Sequence, residues 1–225
     1  MKARGTVLVA AVAIAAGLTF WQVRVLSPAV AEGGAFTVAT ISAGLPAVTG
    51  EYEYVGSKKC KKCHIKEHKS WGTTKMAKAF ETLKPGQASE AKTKHNLDAS
   101  KDYTKDESCL TCHVTGFGHA GGYAVPAGDD KKAVKQAEAL EGVGCEACHG
   151  PGSAYIKVFD EIQESKRTYK VDELHAVGLN RMDASSCITC HNDKSPTHDA
   201  SKPFNFEEEK DKDTHEHQPL KQREG

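Results

Sequence analysis

Four copies of one pentapeptide, Cys60-Lys-Lys-Cys63-His64, Cys109-Leu-Thr-Cys112-His113, Cys145-Glu-Ala-Cys148-His149 and Cys187-Ile-Thr-Cys190-His191, use up all eight cysteines of this 225-residue chain. On one helical turn, cysteines at i and i+3 share a face, and the histidine that follows projects beside them. Two thiols and an imidazole so placed are the donor set of a porphyrin joined through its vinyl groups and ligated at iron from the same side. Successive pentapeptides start 49, 36 and 42 residues apart, whereas the CxxC pairs of a zinc knuckle normally lie close together. A disulfide framework would also consume eight cysteines. Neither zinc nor disulfides accounts for a histidine after every second cysteine. The pentapeptides therefore predict four covalently bound c-type haems, attached at Cys60, Cys63, Cys109, Cys112, Cys145, Cys148, Cys187 and Cys190. Their proximal iron ligands are His64, His113, His149 and His191.

The composition agrees with this reading. Hydrophobic residues make up 39 % of the chain and aromatic residues 7 %, with a mean hydropathy of −0.51. Apolar side chains are thus in short supply for a conventional core of this length, and large apolar macrocycles would fill the interior in their place. The expected fold is mainly α with much irregular structure and four covalent haems forming the core. Helices are expected within Lys58–Lys78, interrupted at Gly72 with a restart capped by Thr73 or Thr74. Others are expected over Asp129–Leu140, Ser153–Glu164 and Asp172–Val177, the last capped by Asp172 and ended by Gly178. The glycine-rich stretches around 116–123, 142–144 and 150–152 are expected either to pack against porphyrin or to form surface turns.

Lys2 and Arg4 precede an apolar run from Val7 to Trp21, followed by Ala29-Val30-Ala31, the layout of a secretory signal with a small-residue cleavage site. The run is shorter than the roughly 20 residues of a spanning helix; an uncleaved anchor giving membrane proximity is the competing reading. The expected organisation is a signal peptide at 1–31, a flexible lead-in at 32–56, a tetrahaem domain at 57–220 and a tail at 221–225. The location would be periplasmic or otherwise extracytoplasmic. Without residues 1–31 the chain keeps 27 basic and 30 acidic residues, a formal charge of −3, which argues against nucleic acid as a partner. The charge is uneven: Lys58–Lys78 holds eight lysines against Glu67, and Glu207–Glu216 carries six acids. Such asymmetry can orient redox partner proteins.

Beyond the pentapeptides, several segments resemble the tetrahaem cytochrome c-554 family. They are Ser70-Trp71, Met76-Ala-Lys-Ala-Phe80, Leu83-Lys-Pro85, Leu97-Asp98, Lys101-Asp-Tyr-Thr104, Gly116-Phe-Gly118, Gly121-Gly-Tyr123, Gly142-Val-Gly-Cys-Glu146, Gly150-Pro-Gly152 and His215-Glu-His217. The resemblance runs from about residue 57 to 220 and implies a multihaem cytochrome c with haems in stacked pairs, whose role is electron transfer between a donor and an acceptor protein. It implies His215 as distal ligand of the fourth haem, with His217 as fallback, and no distal protein ligand for the second. Where the family places a distal histidine for the third haem, this chain has Met76, whose thioether would raise the reduction potential; a core methionine is the alternative. For the first haem, Tyr155, His175 or another histidine stands open. Most of the remaining histidines, His68, His95, His119 and His198, are expected at the surface. The competing function is a redox enzyme acting on a small nitrogen oxide or peroxide at the five-coordinate haem on His113. No pentapeptide exchanges its histidine for lysine, the substitution of multihaem nitrite reductases.

Overall fold

The computed structural model describes residues 52–212 and 214–224. The signal-like segment and nearly all of the lead-in lie outside the described residues. Among the described residues ten short helices follow one another: α1 (Ser57–Cys60), α2 (Ile65–Trp71), α3 (Ser89–Lys94), α4 (Glu107–His113), α5 (Lys131–Glu138), α6 (Cys145–His149), α7 (Tyr155–Ser165), α8 (Val171–His175), α9 (Ala184–Ile188) and α10 (Phe206–Glu209). A 3₁₀ turn covers Phe80–Leu83. Among the described residues there are no strands, only isolated bridges between Val114 and Glu141 and between Tyr169 and Arg223.

Local chemistry explains several helix starts. The side chains of Asp106, Asp130, Asp183 and Asn205 each accept from a backbone N–H of the following turn, satisfying groups that have no partner inside a helix. The helices expected near 129–140, 153–164 and 172–177 form within a few residues of those bounds. α8, however, is fastened by Glu173, whose carboxylate accepts from the Lys170 N–H at 3.0 Å, rather than by Asp172. The restart after Gly72 does not form an α-helix. The Thr73 and Thr74 hydroxyls donate backwards to the carbonyls of Ser70 (2.7 Å) and Trp71 (2.8 Å), while Thr74 Oγ1 accepts from the Ala77 N–H at 3.2 Å, so the expected cap bond forms over a run of turns.

Two apolar clusters make up the protein's own core. The first joins Phe80, Leu83, Tyr103, Leu110, Val114, Tyr123, Ala137 and Leu140. The second joins Ala154, Tyr155, Val158, Ile162, Tyr169, Leu174 and Val177. Both ends of the described chain are tied down. The Tyr54 N–H donates to Ala120 O at 3.0 Å, and Tyr169 exchanges backbone bonds with Gln222 and Glu224. Packing thus begins before residue 57 and continues past residue 220.

The glycine loops serve chain-to-chain approach. Gly142 has φ +77°, and a Cβ there would lie 2.5 Å from Ala77 O; at Gly116, with φ +70°, it would lie 2.6 Å from the Tyr54 ring. Only glycine fits such contacts.

Candidate functional site

Each pentapeptide occupies one helical turn. The second and third lie wholly inside α4 and α6. In the first and fourth, the His64 N–H donates to Cys60 O at 2.9 Å and the His191 N–H to Cys187 O at 3.0 Å, so the same turn is completed just beyond α1 and α9. All four therefore place two thiols and an imidazole close together.

The residue after the first cysteine decides how each unit is anchored. Leu110 is fully buried in the first cluster and Glu146 is 1 % exposed, whereas Ile188 is 52 % exposed and Lys61 is exposed. The second and third units are thus rooted in the interior, and the first and fourth lie at the surface.

Glu146 is the most heavily engaged of these anchors. Its carboxylate accepts from the N–H groups of Val55 (2.9 Å), Gly56 (2.6 Å) and Gly152 (2.7 Å). It thereby fastens the strap leading into α1 and the Gly-Pro-Gly loop onto α6. Ser57 and Thr115 add to the knot: Ser57 Oγ accepts from the Cys145 N–H at 3.2 Å, and Thr115 Oγ1 accepts from the Gly144 N–H at 2.8 Å while donating to Gly142 O at 2.9 Å. None of these three stood out in the sequence. The signal was present in the glycines around the third unit, which mark close backbone approach.

In space the four units do not follow chain order. α6 packs against both α1 and α9. The thiols of Cys60 and Cys145 interact; Cys145 is lowered to about 6, chiefly by its hydrogen bond with Cys60, and Cys60 is raised by the same contact. Burial raises Cys148 to about 11, with Cys187 and Cys190 adding to the effect. Burial and the Cys190 thiol raise Cys112 to about 11. The spatial order is first, third, fourth, second.

The histidines are held in forms suited to a metal. His113 Nδ1 donates to Ala79 O at 2.7 Å, with Thr82 Oγ1 at 3.2 Å, which leaves Nε2 with its lone pair. His175 Nδ1 donates to Leu179 O at 2.7 Å and His215 Nδ1 to Glu216 O at 2.9 Å. Burial pushes His149 down to about 4, reinforced by His215, His64 and His217, so its ring is neutral at ordinary pH.

The structure brings some expected ligands together and not others. The His215 ring stands 6.1 Å from the ring of His149, in the third unit, whereas the resemblance places it on the fourth. His217 follows at 4.6 Å from His215. The ring beside His191 is Phe204, at 4.5 Å. Met76 is half-buried, and its carbonyl accepts from the Val143 N–H at 2.9 Å, which fastens it just ahead of the third unit. The Tyr155 hydroxyl donates to Gly150 O at 3.1 Å, and burial raises its phenol well above the usual range. Of the histidines expected at the surface, His68 packs edge-on against Trp71 at 5.3 Å and is only half-exposed.

These residues fit covalent haem at each pentapeptide. The donor chemistry is complete on every turn, and His113 is fixed in the tautomer that leaves Nε2 open. Ile65, next to His64, and Ile188, inside the fourth unit, are 61 % and 52 % exposed, apolar surface of the kind a porphyrin face covers. Among the described residues no helix is long and apolar enough to cross a membrane.

Comparison with known proteins points the same way. The family model described as cytochrome c554 and c-prime matches residues 59–150. Cytochrome c-554 of Nitrosomonas europaea is 36 % identical over 171 residues, covering 73 % of this chain and 69 % of the relative. The solved structure of the reduced state of cytochrome c554 from Nitrosomonas europaea superposes with a TM-score of 0.67 at 34 % identity, covering 78 % of this chain and 91 % of that one.

Proposed function

The chain belongs to the cytochrome c-554 family and transfers electrons through covalently bound c-type haems, and we propose that it does so outside the cytoplasm as a tetrahaem carrier between two protein partners. The observation that carries the reading is the set of four complete donor turns packed in one continuous row. Haem iron supplies the one-electron chemistry when bound; the protein holds the attachment thiols and orients the imidazoles. The expected intact mass of the mature protein is that of residues 32–225 plus four haems. A mass without added haem, or a reduced protein lacking sharp ferrous bands, would overturn the assignment.

The proximal ligands are His64, His113, His149 and His191. Two donors compete for the far side of the third haem: Met76, implied by its position in the family pattern, and His215, supported by the ring pair with His149. Met76→His is expected to lower one midpoint potential and abolish a sulfur-to-iron charge-transfer band if sulfur is the ligand. Met76→Leu that leaves every midpoint and the near-infrared spectrum unchanged, with His215→Ala raising one midpoint, would assign the bond to His215.

The partner surface is basic. Lys58, Lys59, Lys61, Lys62, Lys66, Lys69, Lys75 and Lys78 are exposed around the first unit, and the one acid of the stretch, Glu67, is half-buried. Such a face steers an acidic partner to the first haem by long-range attraction. The expected result is a second-order reduction rate that falls as salt rises and the Debye length shrinks. A rate indifferent to ionic strength would remove this docking mode.

A further inference from the structure

The four proximal histidines are not held in the same way. His113 has its Nδ1 fastened to Ala79 O at 2.7 Å, and His64 has the Glu67 carboxylate 3.9 Å from its Nδ1. His149 is packed beside the His215 ring at 6.1 Å. Among the described residues no hydrogen bond reaches the ring of His191. What it has is a face: the Phe204 ring stands 4.5 Å away with its plane inclined by 22°, the shortest ring contact among the described residues. Centres this close with planes nearly parallel mean two rings stacked face to face. The nitrogens of an imidazole lie on its edge, so a stack of this kind leaves them to bond elsewhere.

Phe204 is fixed by its own neighbourhood. Pro203 precedes it and restricts the backbone there. Asn205 follows as the cap of α10: its side chain accepts from the Glu207 N–H at 3.2 Å and donates to the Glu208 carboxylate at 2.8 Å. The Glu209 N–H returns to Asn205 O at 3.1 Å and the Lys210 N–H to Phe206 O at 2.8 Å. Phe204 and Phe206 line one groove with Ala184 and Ile188 of α9, so this stretch lies alongside the fourth pentapeptide. Phe204 is half-buried and belongs to neither apolar cluster. Among the described residues His191 is its one ring partner.

Resting on the reading of a haem at Cys187 and Cys190, we propose that Phe204 is a positioning residue for electron transfer: its ring fixes the rotation of the His191 imidazole about its bond to iron, as Ala79 O fixes that of His113. An axial imidazole donates its nitrogen lone pair at any rotation. The direction of its plane, however, selects which iron orbital holds the unpaired electron of the ferric state, and so how electron density spreads over the haem. A hydrogen bond to Nδ1 would also make the ring a stronger donor; a stack sets direction without that change. The fourth unit joins the third to the second, so orientation there bears on passage along the whole row.

The test uses the full holoprotein, read by proton magnetic resonance. In the ferric protein, with cyanide added to make any open haem low-spin, the methyl resonances of each haem spread according to the direction of its axial imidazole. Phe204→Leu, which removes the flat face but keeps an apolar side chain, is expected to shift the methyl resonances of the haem on His191 and leave the other three haems unchanged. Phe204→Tyr keeps the face and is expected to reproduce the wild-type pattern. In the reduced wild type under carbon monoxide, which makes any open haem diamagnetic, the ring protons of Phe204 and His191 are expected to show through-space contacts. That measurement decides the matter should Phe204→Leu fail to accumulate. Unchanged methyl resonances in Phe204→Leu, whether or not stability falls, would make Phe204 a packing residue and overturn the proposal. So would shifts spread over all four haems, a Phe204→Tyr pattern altered as much as that of Phe204→Leu, or missing contacts between the two rings. A peptide spanning Cys187 and Cys190 that carries no haem mass would instead refute the underlying haem reading, which separates the two failures.

Discussion

Glu146→Ala is expected to destabilise the folded protein by about 3 kcal/mol or more, since each buried N–H left without a partner costs about 1–3 kcal/mol. Three backbone donors, on Val55, Gly56 and Gly152, converge on this carboxylate, and at 1 % exposure no water can readily take its place. Both oxygens are used: Oε1 receives Val55 and Gly152, and Oε2 receives Gly56. Glu146→Gln is therefore expected to keep only part of the stability, because its amide would turn a donor toward a donor. Chemical unfolding of the holoprotein measures both variants. An alanine variant within about 0.5 kcal/mol of wild type, the range of an ordinary surface change, would show that the knot between the first and third units contributes little.

Leu110→Ala is expected to cost about 2–5 kcal/mol, the usual range for emptying a buried leucine site. Leu110 is fully buried among Phe80, Leu83, Tyr103 and Leu140, yet it lies between two haem-attachment cysteines. Ile188 holds the same place in the fourth pentapeptide and is 52 % exposed. Ile188→Ala is expected to cost clearly less than Leu110→Ala, because the protein's own side chains enclose only part of it. The pair of urea midpoints tests whether position within the pentapeptide or rooting in the protein core sets the cost. Equal losses would sink the distinction drawn here between interior and surface units.

The pentapeptides were legible because their chemistry is local: thiols at i and i+3 with a following imidazole need one turn and nothing else. The same holds for the start of α5, set by the Asp130 carboxylate, and for the end of α8, ahead of Gly178 with its positive φ. The segment after Gly72 was not legible, because its shape depends on partners far along the chain. Val143 and Gly142 close on the carbonyls of Met76 and Ala77 and hold the backbone in turns where threonine alone suggests a helix start. Glu146 looked like a spacer inside a motif, since two of the three donors it serves lie 90 and 91 residues away. That the His215 ring stands beside His149 was hidden for the same reason: which ring faces which histidine is a property of the folded chain.

The row of units has a consequence for how the molecule is completed during synthesis. The unit that bridges the third to the second is the last to emerge, because it lies at residues 187–191. A product ending before residue 187 would keep three attachment turns but leave them as a neighbouring couple and an isolated one. Electron passage along the whole row is thus withheld until the fourth unit has been made.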